Sequence, residues 1–200
     1  MATVSAHSSY AQLINPQVLL EQVTNATFER IELDQKNIES DPDHLRVIIE
    51  QELMPYNDHK FAAFKVLGKQ FRSVPKHKIP EYVGEFKQYL ISNFAVALAS
   101  YGGQKLVFEP IKDTKNKKSM TVKAIIIQAG RPDINISFKL RKAKNTQQWK
   151  TYDLVAEGIS LLSSKQSEFA SIIRQQGIQA VIDVMKNKNN KPLSIASNVN

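Results

Sequence analysis

The sequence predicts an α+β fold in which a four-stranded antiparallel sheet packs against a layer of helices. Apolar residues recur at helical spacing up to about residue 103, and from residue 105 they alternate with polar residues as in strands. Short, turn-like segments separate the four predicted strands, and connections this short join antiparallel neighbours. With 42% hydrophobic residues among 200, the chain can bury the core of one domain.

Composition and pattern divide the chain into three parts. Residues 1–14 are polar and aperiodic, which predicts a loose N-terminal tail. Residues 15–188 form a single domain, and residues 189–200 are predicted to be a loose C-terminal tail. The domain itself comprises a helical half (15–103), a sheet (104–158) and C-terminal helices (159–188).

Capping and breaking residues place the first three helices. Asn15 and Pro16 suit the N-cap and first position of a helix that runs to about residue 39. The break at 40–42 starts a second helix, which Pro55 ends, and a short third helix near 58–67 ends at Gly68.

The fourth helix has the clearest pattern. Its stripe of apolar residues at i, i+3 and i+4 spacing comprises Ile79, Tyr82, Val83, Phe86, Tyr89, Leu90, Phe94, Ala97, Leu98 and Tyr101. Gly102 and Gly103 follow it as a C-cap.

The predicted strands are 105–111, 121–127, 134–140 and 149–158. In the third strand, isoleucine, phenylalanine and leucine alternate with Asn135, Ser137, Lys139 and Arg141, so one face is buried and the other is wet and basic. The fourth strand passes directly into a helix near 160–175, which breaks at Gly177 before a short helix to about residue 187.

The charge is concentrated in the sheet. The net charge is +8, and residues 104–150 alone carry 12 Lys and Arg against three Asp and Glu. Such a surface suits nucleic acid, anionic lipid or an acidic protein, or it is a solvated sheet face.

Composition also excludes several function classes. The chain has no cysteine, which rules out disulfides and thiolate metal sites. It has no apolar run of the roughly 18–20 residues that a membrane span needs. Residues 1–13 have neither the basic nor the apolar region of a secretory signal, so the sequence by itself favours the cytosol.

No catalytic arrangement is evident. The histidines His7, His44, His59 and His77 form no metal-binding pair. Asp58 and His59 are adjacent on a helix and point apart, which favours the surface for His59. Asp153 and Glu157 share a strand face by parity, where we expect them to orient neighbouring lysine and arginine side chains.

Several segments together resemble the MlaC family, also called toluene-tolerance auxiliary proteins. The strongest is WKTYDLVAEGISLLSSKQSEF (149–169), followed by DPDHLRVIIEQELMPYNDHKFAAFKVLG (41–68), YGGQ (101–104) and ISFKLRK (136–142). The resemblance covers residues 15 to about 188.

The resemblance implies a cone-like, nuclear-transport-factor-like fold with an apolar cavity between sheet and helices. It also implies a periplasmic phospholipid carrier of Gram-negative bacteria, made with a signal peptide that is absent here. The implied partners are an outer-membrane lipoprotein–porin complex and the lipid-binding subunit of an inner-membrane ABC transporter, and the implied role is to maintain outer-membrane lipid asymmetry. We expect a monomer with no cofactor, no bound nucleic acid and phospholipid as its cargo.

The predicted site residues combine motif positions with the aromatic stripe, which the resemblance implies to line the cavity. The predicted cavity lining is Phe86, Tyr89, Phe94, Tyr101, Phe108, Phe138, Tyr152, Leu154, Gly158 and Ile159, with the helix aromatics facing those of the sheet. Trp149 shares parity with Asp153, which places it at the rim, and Gly158 leaves room where the strand turns. Lys139, Arg141 and Lys142 are expected to face partners or headgroups.

Two other functions compete with lipid carriage. An enzyme on the same scaffold, acting on a hydrophobic small molecule, requires a buried acid, and no strand places one among its apolar residues. A nucleic-acid binder would use the basic region, but that region has few aromatic residues on its wet face for stacking bases. We therefore predict that the protein is not an enzyme.

Overall fold

Helices precede and follow one antiparallel sheet in this chain. The computed structural model describes residues 15–99, 102–111, 114, 116–128 and 130–194, and confirms the α+β fold. Its α-helices are α1 (Pro16–Leu33), α2 (Gln35–Ser40), α3 (His44–Ile48), α4 (His59–Leu67), α5 (Ile79–Leu98) and α6 (Leu161–Asn189). None of these helices is both long and apolar enough to span a membrane.

The helix starts follow the capping signals, but two predicted helices are divided. Asn15 Oδ1 accepts the backbone N–H of Gln17 at 2.9 Å, with Pro16 at the first position of α1. The predicted first helix is interrupted at Asp34, where α2 begins. The predicted second helix becomes α3, a π-helical turn (Ile49–Leu53) and a 3₁₀ turn (Met54–Tyr56) that contains Pro55.

Helix α5 packs against two groups of helices. Near its N-terminus, Tyr82, Phe86 and Tyr89 belong to a core that α4 and α6 complete. Near its C-terminus, Ile91 and Ala95 pack with residues of α1, α2, α3 and the π-helical turn. The stripe on α5 is therefore covered by other helices.

The sheet has five strands rather than the predicted four, in the order β1-β2-β3-β4-β5 and all antiparallel. They are β1 (Lys105–Phe108), β2 (Ser119–Ile127), β3 (Ile134–Lys142), β4 (Trp149–Ala156) and β5 (Ile159–Ser160).

The predicted fourth strand ends early because Glu157 and Gly158 both have positive φ, 48° and 79°. Positive φ at both central residues is what a two-residue hairpin turn of type I′ requires. The predicted direct join of strand and helix is thus a hairpin followed by α6.

A β-bulge at Tyr152 changes which side chains of β4 share a face. Leu140 pairs with Thr151 and Lys139 pairs with Asp153, so Tyr152 is the extra residue. Period-2 parity therefore reverses at this position. Trp149 lies on the face of Leu140 and not on that of Asp153. The predicted rim position of Trp149 is wrong: it is 4% exposed and packs with Leu20, Val122 and Leu140.

The sheet joins the helices mainly along β4. The segment before α4 runs beside the free edge of β4, where the Asp58 N–H donates to the Thr151 carbonyl at 2.7 Å. Next to β4 on the same side, β5 leads directly into α6. Helix α1 contacts the sheet elsewhere, since Gln17 Oε1 accepts the N–H of Ile111 at 2.9 Å.

The C-terminal region is held more firmly than predicted. Within α6, Gly177 has a non-helical backbone (φ 81°). The helix is therefore kinked at the position where a break was predicted. Residues 189–194, predicted to be loose, instead pack on α3 and α5. Leu193 is buried, and Arg46 donates to the carbonyls of Asn189 at 2.8 Å and Lys191 at 2.7 Å. The predicted tails at 1–14 and 195–200 lie outside the described residues.

We expect Arg46→Ala to lower the free energy of unfolding by on the order of 2 kcal/mol, because charged hydrogen bonds to two carbonyls and the Ser92 hydroxyl are lost. Urea unfolding followed by circular dichroism measures the change. Arg72→Ala, at an exposed site on the 3₁₀ turn Gly68–Ser73, is the matched control. Equal midpoints for the two variants would mean that Arg46 does not hold the C-terminal segment.

Candidate functional site

One face of the sheet is apolar across its four long strands. Directly paired residues of neighbouring strands lie on the same face, so the register defines it. This apolar face comprises Leu106, Phe108, Met120, Val122, Ala124, Ile126, Ile134, Ile136, Phe138, Leu140, Trp149, Leu154 and Ala156.

The apolar face is covered unevenly. Leu19 and Leu20 of α1 pack at one end, where Leu140 and Trp149 are buried. Towards the other end, Phe108, Phe138 and Leu154 are only half-buried. Ile159, which pairs with Ala156 on this same side, is 63% exposed. The structure therefore leaves an open part of the apolar face, bordered by β5.

Four of the predicted lining residues meet at this open part. The rings of Phe108 and Phe138 lie 5.9 Å apart, and Leu154 is directly opposite Phe138. Ile159 extends the same face across β5. The sheet register thus brings Phe108, Phe138, Leu154 and Ile159, all predicted to line the cavity, onto one face.

The aromatic residues of α5 do not face the sheet, and that prediction is wrong. Phe86 is 1% exposed and belongs to the core that α5 forms with α4 and α6. The Tyr89 ring lies 6.0 Å from that of Phe169 on α6. Phe94 packs instead on the core of α1 to α3. Tyr101 lies outside the described residues.

Two further predicted lining residues have other roles. Tyr152, as the bulged residue, meets the ring of Phe61 on α4 edge-on at 5.1 Å. A Cβ added to Gly158 would meet nothing within 4 Å. This glycine therefore serves the positive φ of the turn and is not required by a close approach of other atoms.

Lys139 and Arg141 are paired with carboxylates and do not lie free on a wet face. Lys139 Nζ is 3.0 Å from Asp153 Oδ2, and Arg141 Nη1 is 2.9 Å from Asp58 Oδ2. Lys142 Nζ lies 5.2 Å from the centre of the Trp149 ring. Lys139 is therefore paired within the sheet and Arg141 with the residue that caps α4, while Arg141 and Lys142 also line the groove described below. That the three residues face partners or headgroups stays a prediction.

Asp153 is the centre of this connection. Its side chain, 3% exposed, also accepts the Ser160 hydroxyl at 2.7 Å and the Leu162 N–H at 3.1 Å. Asp153 thus orients Lys139, as expected from the sequence for a neighbouring lysine. Glu157 does not join it, because its carboxylate accepts the N–H of Asn135 instead. The two carboxylates therefore do not form an acid–base pair.

The predicted surface position of His59 is also wrong. His59 is half-buried, and its Nδ1 is one of the buried side-chain atoms that have no hydrogen-bond partner in the described part of the chain. Burial lowers the pKa of His59, and the nearby Lys87 adds to the effect. Asp58 caps α4 by accepting the Phe61 N–H at 3.1 Å, so neither residue is arranged for catalysis.

A second feature was not predicted, a basic groove of about 520 Å³ between α4 and the ends of three strands. Its lining residues are Phe61, Lys65, Lys118, Ser119, Arg141, Lys142, Lys144, Gln147 and Tyr152. The excess of lysine and arginine in 104–150 indicated a basic surface. The sequence could not place Phe61 and Lys65 beside it, since they lie more than 50 residues earlier. Among the described residues, no group of three potential metal ligands is found.

Comparison with known proteins gives a consistent result. The family model described as "MlaC protein" matches residues 21–187. The intermembrane phospholipid transport system binding protein MlaC of Haemophilus influenzae is 31% identical over 180 residues, which cover 90% of this chain and 84% of that protein.

A solved structure has a similar fold. It is the phospholipid-binding protein from Ralstonia solanacearum in complex with a phospholipid, with a TM-score of 0.77. The match covers 88% of this chain and 97% of that one at 18% identity. At this identity, the match supports the fold alone.

We expect Asp153→Ala to lower the free energy of unfolding by about 3 kcal/mol, because it leaves Lys139 unpaired and the Leu162 N–H without an acceptor. Removing both charges in Lys139→Met/Asp153→Ala should recover part of this loss. Denaturant unfolding of both variants measures it.

Asp133→Ala, in the exposed loop between β2 and β3, is the control and should change stability by less than about 0.5 kcal/mol. If Asp153→Ala behaves like this control, the Asp153 contacts do not hold the sheet to α6.

Proposed function

The chain belongs to the MlaC family, and we propose that it holds the acyl chains of a phospholipid against the open part of its apolar face. As a member of this family it is a phospholipid-binding transport protein and not an enzyme. The observation that carries the location of the site is the uneven cover of the sheet, buried at Trp149 and open at Ile159.

The physical problem of carrying a phospholipid explains why an apolar surface suffices. Each methylene removed from water contributes about 0.8 kcal/mol, so two chains with some thirty methylenes cost on the order of 20 kcal/mol in water. A carrier must replace the apolar surroundings of the bilayer. Hydrocarbon contacts are non-directional, so aromatic and branched side chains can supply them without any reactive group.

The half-buried residues are placed to make these contacts. Phe108 on the edge strand β1 and Phe138 and Leu154 on inner strands form a patch, which Ile159 extends at the opposite edge. Acyl chains lying on this patch would cover apolar surface that α1 leaves open. Phe86, Tyr89 and Phe94 take no part, because other helices already cover them.

We also propose that the protein works in the periplasm and moves phospholipid between two membranes. Its partners would be an outer-membrane lipoprotein–porin complex and the lipid-binding subunit of an inner-membrane ABC transporter. This transport would maintain the lipid asymmetry of the outer membrane. The proposal is supported by the similarity to a protein named as the binding component of an intermembrane phospholipid transport system.

We predict that Ile159→Glu abolishes co-purifying phospholipid, at least tenfold below the unchanged protein, while the fold is retained. A carboxylate at this edge would have to lose its water beside acyl chains, which is strongly unfavourable. Because Ile159 is exposed, the substitution leaves no cavity in the core. Organic extraction followed by mass spectrometry measures lipid per protein.

Ile127→Glu is the matched control, since Ile127 is 44% exposed on the opposite face of the same sheet. It should keep the full lipid content. A folded Ile159→Glu protein with as much lipid as this control would remove Ile159 and the open part of the apolar face from the site.

We further predict that the lipid-loaded protein delivers its cargo selectively to membranes that contain the transporter. Fluorescent phospholipid bound to the protein should appear in proteoliposomes carrying the ABC transporter complex and not in plain liposomes of the same lipid. Equal transfer to both kinds of vesicle would contradict a delivery step that depends on a protein partner.

A further inference from the structure

The basic groove brings together cationic side chains from three separate parts of the chain. Lys65 comes from α4, Lys118 precedes β2, and Arg141, Lys142 and Lys144 lie at the end of β3 and in the turn after it. No acidic side chain is among those lining residues that the structure describes. The only described carboxylate paired with any of the five is Asp58, which contacts Arg141.

Arg141 is held in a fixed orientation. Its guanidinium carbon lies 4.1 Å from the centre of the Phe61 ring, and one nitrogen donates to Asp58 at 2.9 Å. The Phe61 ring is in turn braced edge-on by Tyr152. A guanidinium has five N–H donors, and among the described residues only Asp58 accepts one of them. The other N–H groups have no acceptor in the described part of the chain, and Arg141 lines the groove.

Lys65, Lys118 and Lys144 lie around Arg141 in the lining of the groove. Within the described part of the chain, Lys65, Lys118 and Lys144 have no acidic group within ion-pair distance, although Lys65 Nζ lies 5.8 Å from the Phe61 ring centre. The turn that carries Lys144 is ordered by hydrogen bonds, including Gln147 N–H to the Ala143 carbonyl at 2.8 Å. It also holds Gln147 at an uncommon φ of 56°.

This arrangement has an electrostatic cost. Like charges held near one another repel, and the repulsion is larger beside protein than in free water. Lys139, a few residues away, is neutralised by a buried aspartate. Among the described residues, the groove gathers five cations against one carboxylate, and an anion in the groove would offset this excess of positive charge.

We propose that the basic groove binds a phosphate group, supplied by a lipid headgroup or by a free phosphate ester. Arg141 offers planar paired donors, which suit phosphate oxygens, and the lysines add charge around it. Ser119, Gln147 and Tyr152 supply neutral polar groups to the same lining. The groove volume of about 520 Å³ accommodates a small phosphate ester. Only the lipid source rests on the proposed function.

The test uses the isotope-labelled protein, freed of co-purifying lipid, at an ionic strength of about 0.15 M, where long-range surface attraction is screened. Titration with sn-glycerol 3-phosphate should move the amide resonances of Ser119, Lys144 and Tyr152 along one saturable curve. Lys65→Gln/Lys144→Gln should weaken this binding at least tenfold. The control Lys36→Gln/Lys69→Gln removes two exposed lysines elsewhere and should leave the binding unchanged.

Two outcomes would overturn the proposal: resonance shifts scattered over the whole basic surface, or an equal loss of binding in both double variants. Either would mean that sn-glycerol 3-phosphate responds to overall charge and not to the groove.

A comparison of lipid-loaded and lipid-free protein identifies the source of the phosphate. If the headgroup of the cargo fills the groove, phospholipid-loaded protein will not respond to sn-glycerol 3-phosphate, and the lipid-free Ile159→Glu variant will. If the groove takes free phosphate esters, both will respond. Full lipid retention by Ile159→Glu would contradict the proposed function and leave the groove result standing.

Discussion

The extra residue at Tyr152 sets the geometry on which the rest of the sheet depends. In a regular β4, Trp149 and Asp153 would share one face and Leu154 would lie on the other. The bulge puts Trp149 and Leu154 on the same apolar side and turns Asp153 towards Lys139. Trp149 can then be buried under α1 while Leu154 lies beside Phe138. The same shift brings Asp153 to the start of α6. One unpaired residue thus allows a single strand to contribute to the apolar face and to the connection with the helices.

Two carboxylates use the same arrangement to fix the helices against β3. Asp58 caps α4 and pairs with Arg141, and Asp153 accepts an N–H in the first turn of α6 and pairs with Lys139. A negative charge is favourable at a helix N-terminus, because unpaired N–H groups and the helix dipole both point to it. Each carboxylate therefore stabilises a helix start and a cross-connection together. Both helix starts are attached at the β3–β4 side of the sheet, and the edge that Ile159 occupies remains open.

Local signals in the sequence predicted most elements, because they act within a few residues. The cap at Asn15, the stripe on α5 and the alternation in β3 all appear in the structure. Two kinds of information were missing. A bulge is one residue long, so strict period-2 parity misplaced Trp149 and Tyr152. A helical stripe shows which side of a helix is buried, but it does not show which element covers that side. Phe86 and Tyr89 were therefore predicted to face the sheet, whereas α4 and α6 cover them. The prediction for Ile159 rests on the family motif and so does not depend on either argument.

The lysines and arginines of the sheet include some that are paired with carboxylates and some that line the basic groove, and Arg141 belongs to both groups. Lys139 and Arg141 are paired with the carboxylates that hold the starts of α6 and α4, so both side chains help to stabilise the fold. At the strand ends, the lysines of the groove have no such partners among the described residues, so their charges can contribute to long-range attraction. Lys142 lies four residues beyond Phe138 on β3, a distance of about 13 Å at the rise of an extended strand.

An apolar surface binds hydrocarbon strongly but without fixing its direction. A cluster of cations contributes less energy in water but distinguishes a phosphate from a methylene. A protein that must bind an amphiphile and later release it needs both properties, and it can tune release through the charged part without rebuilding the apolar part.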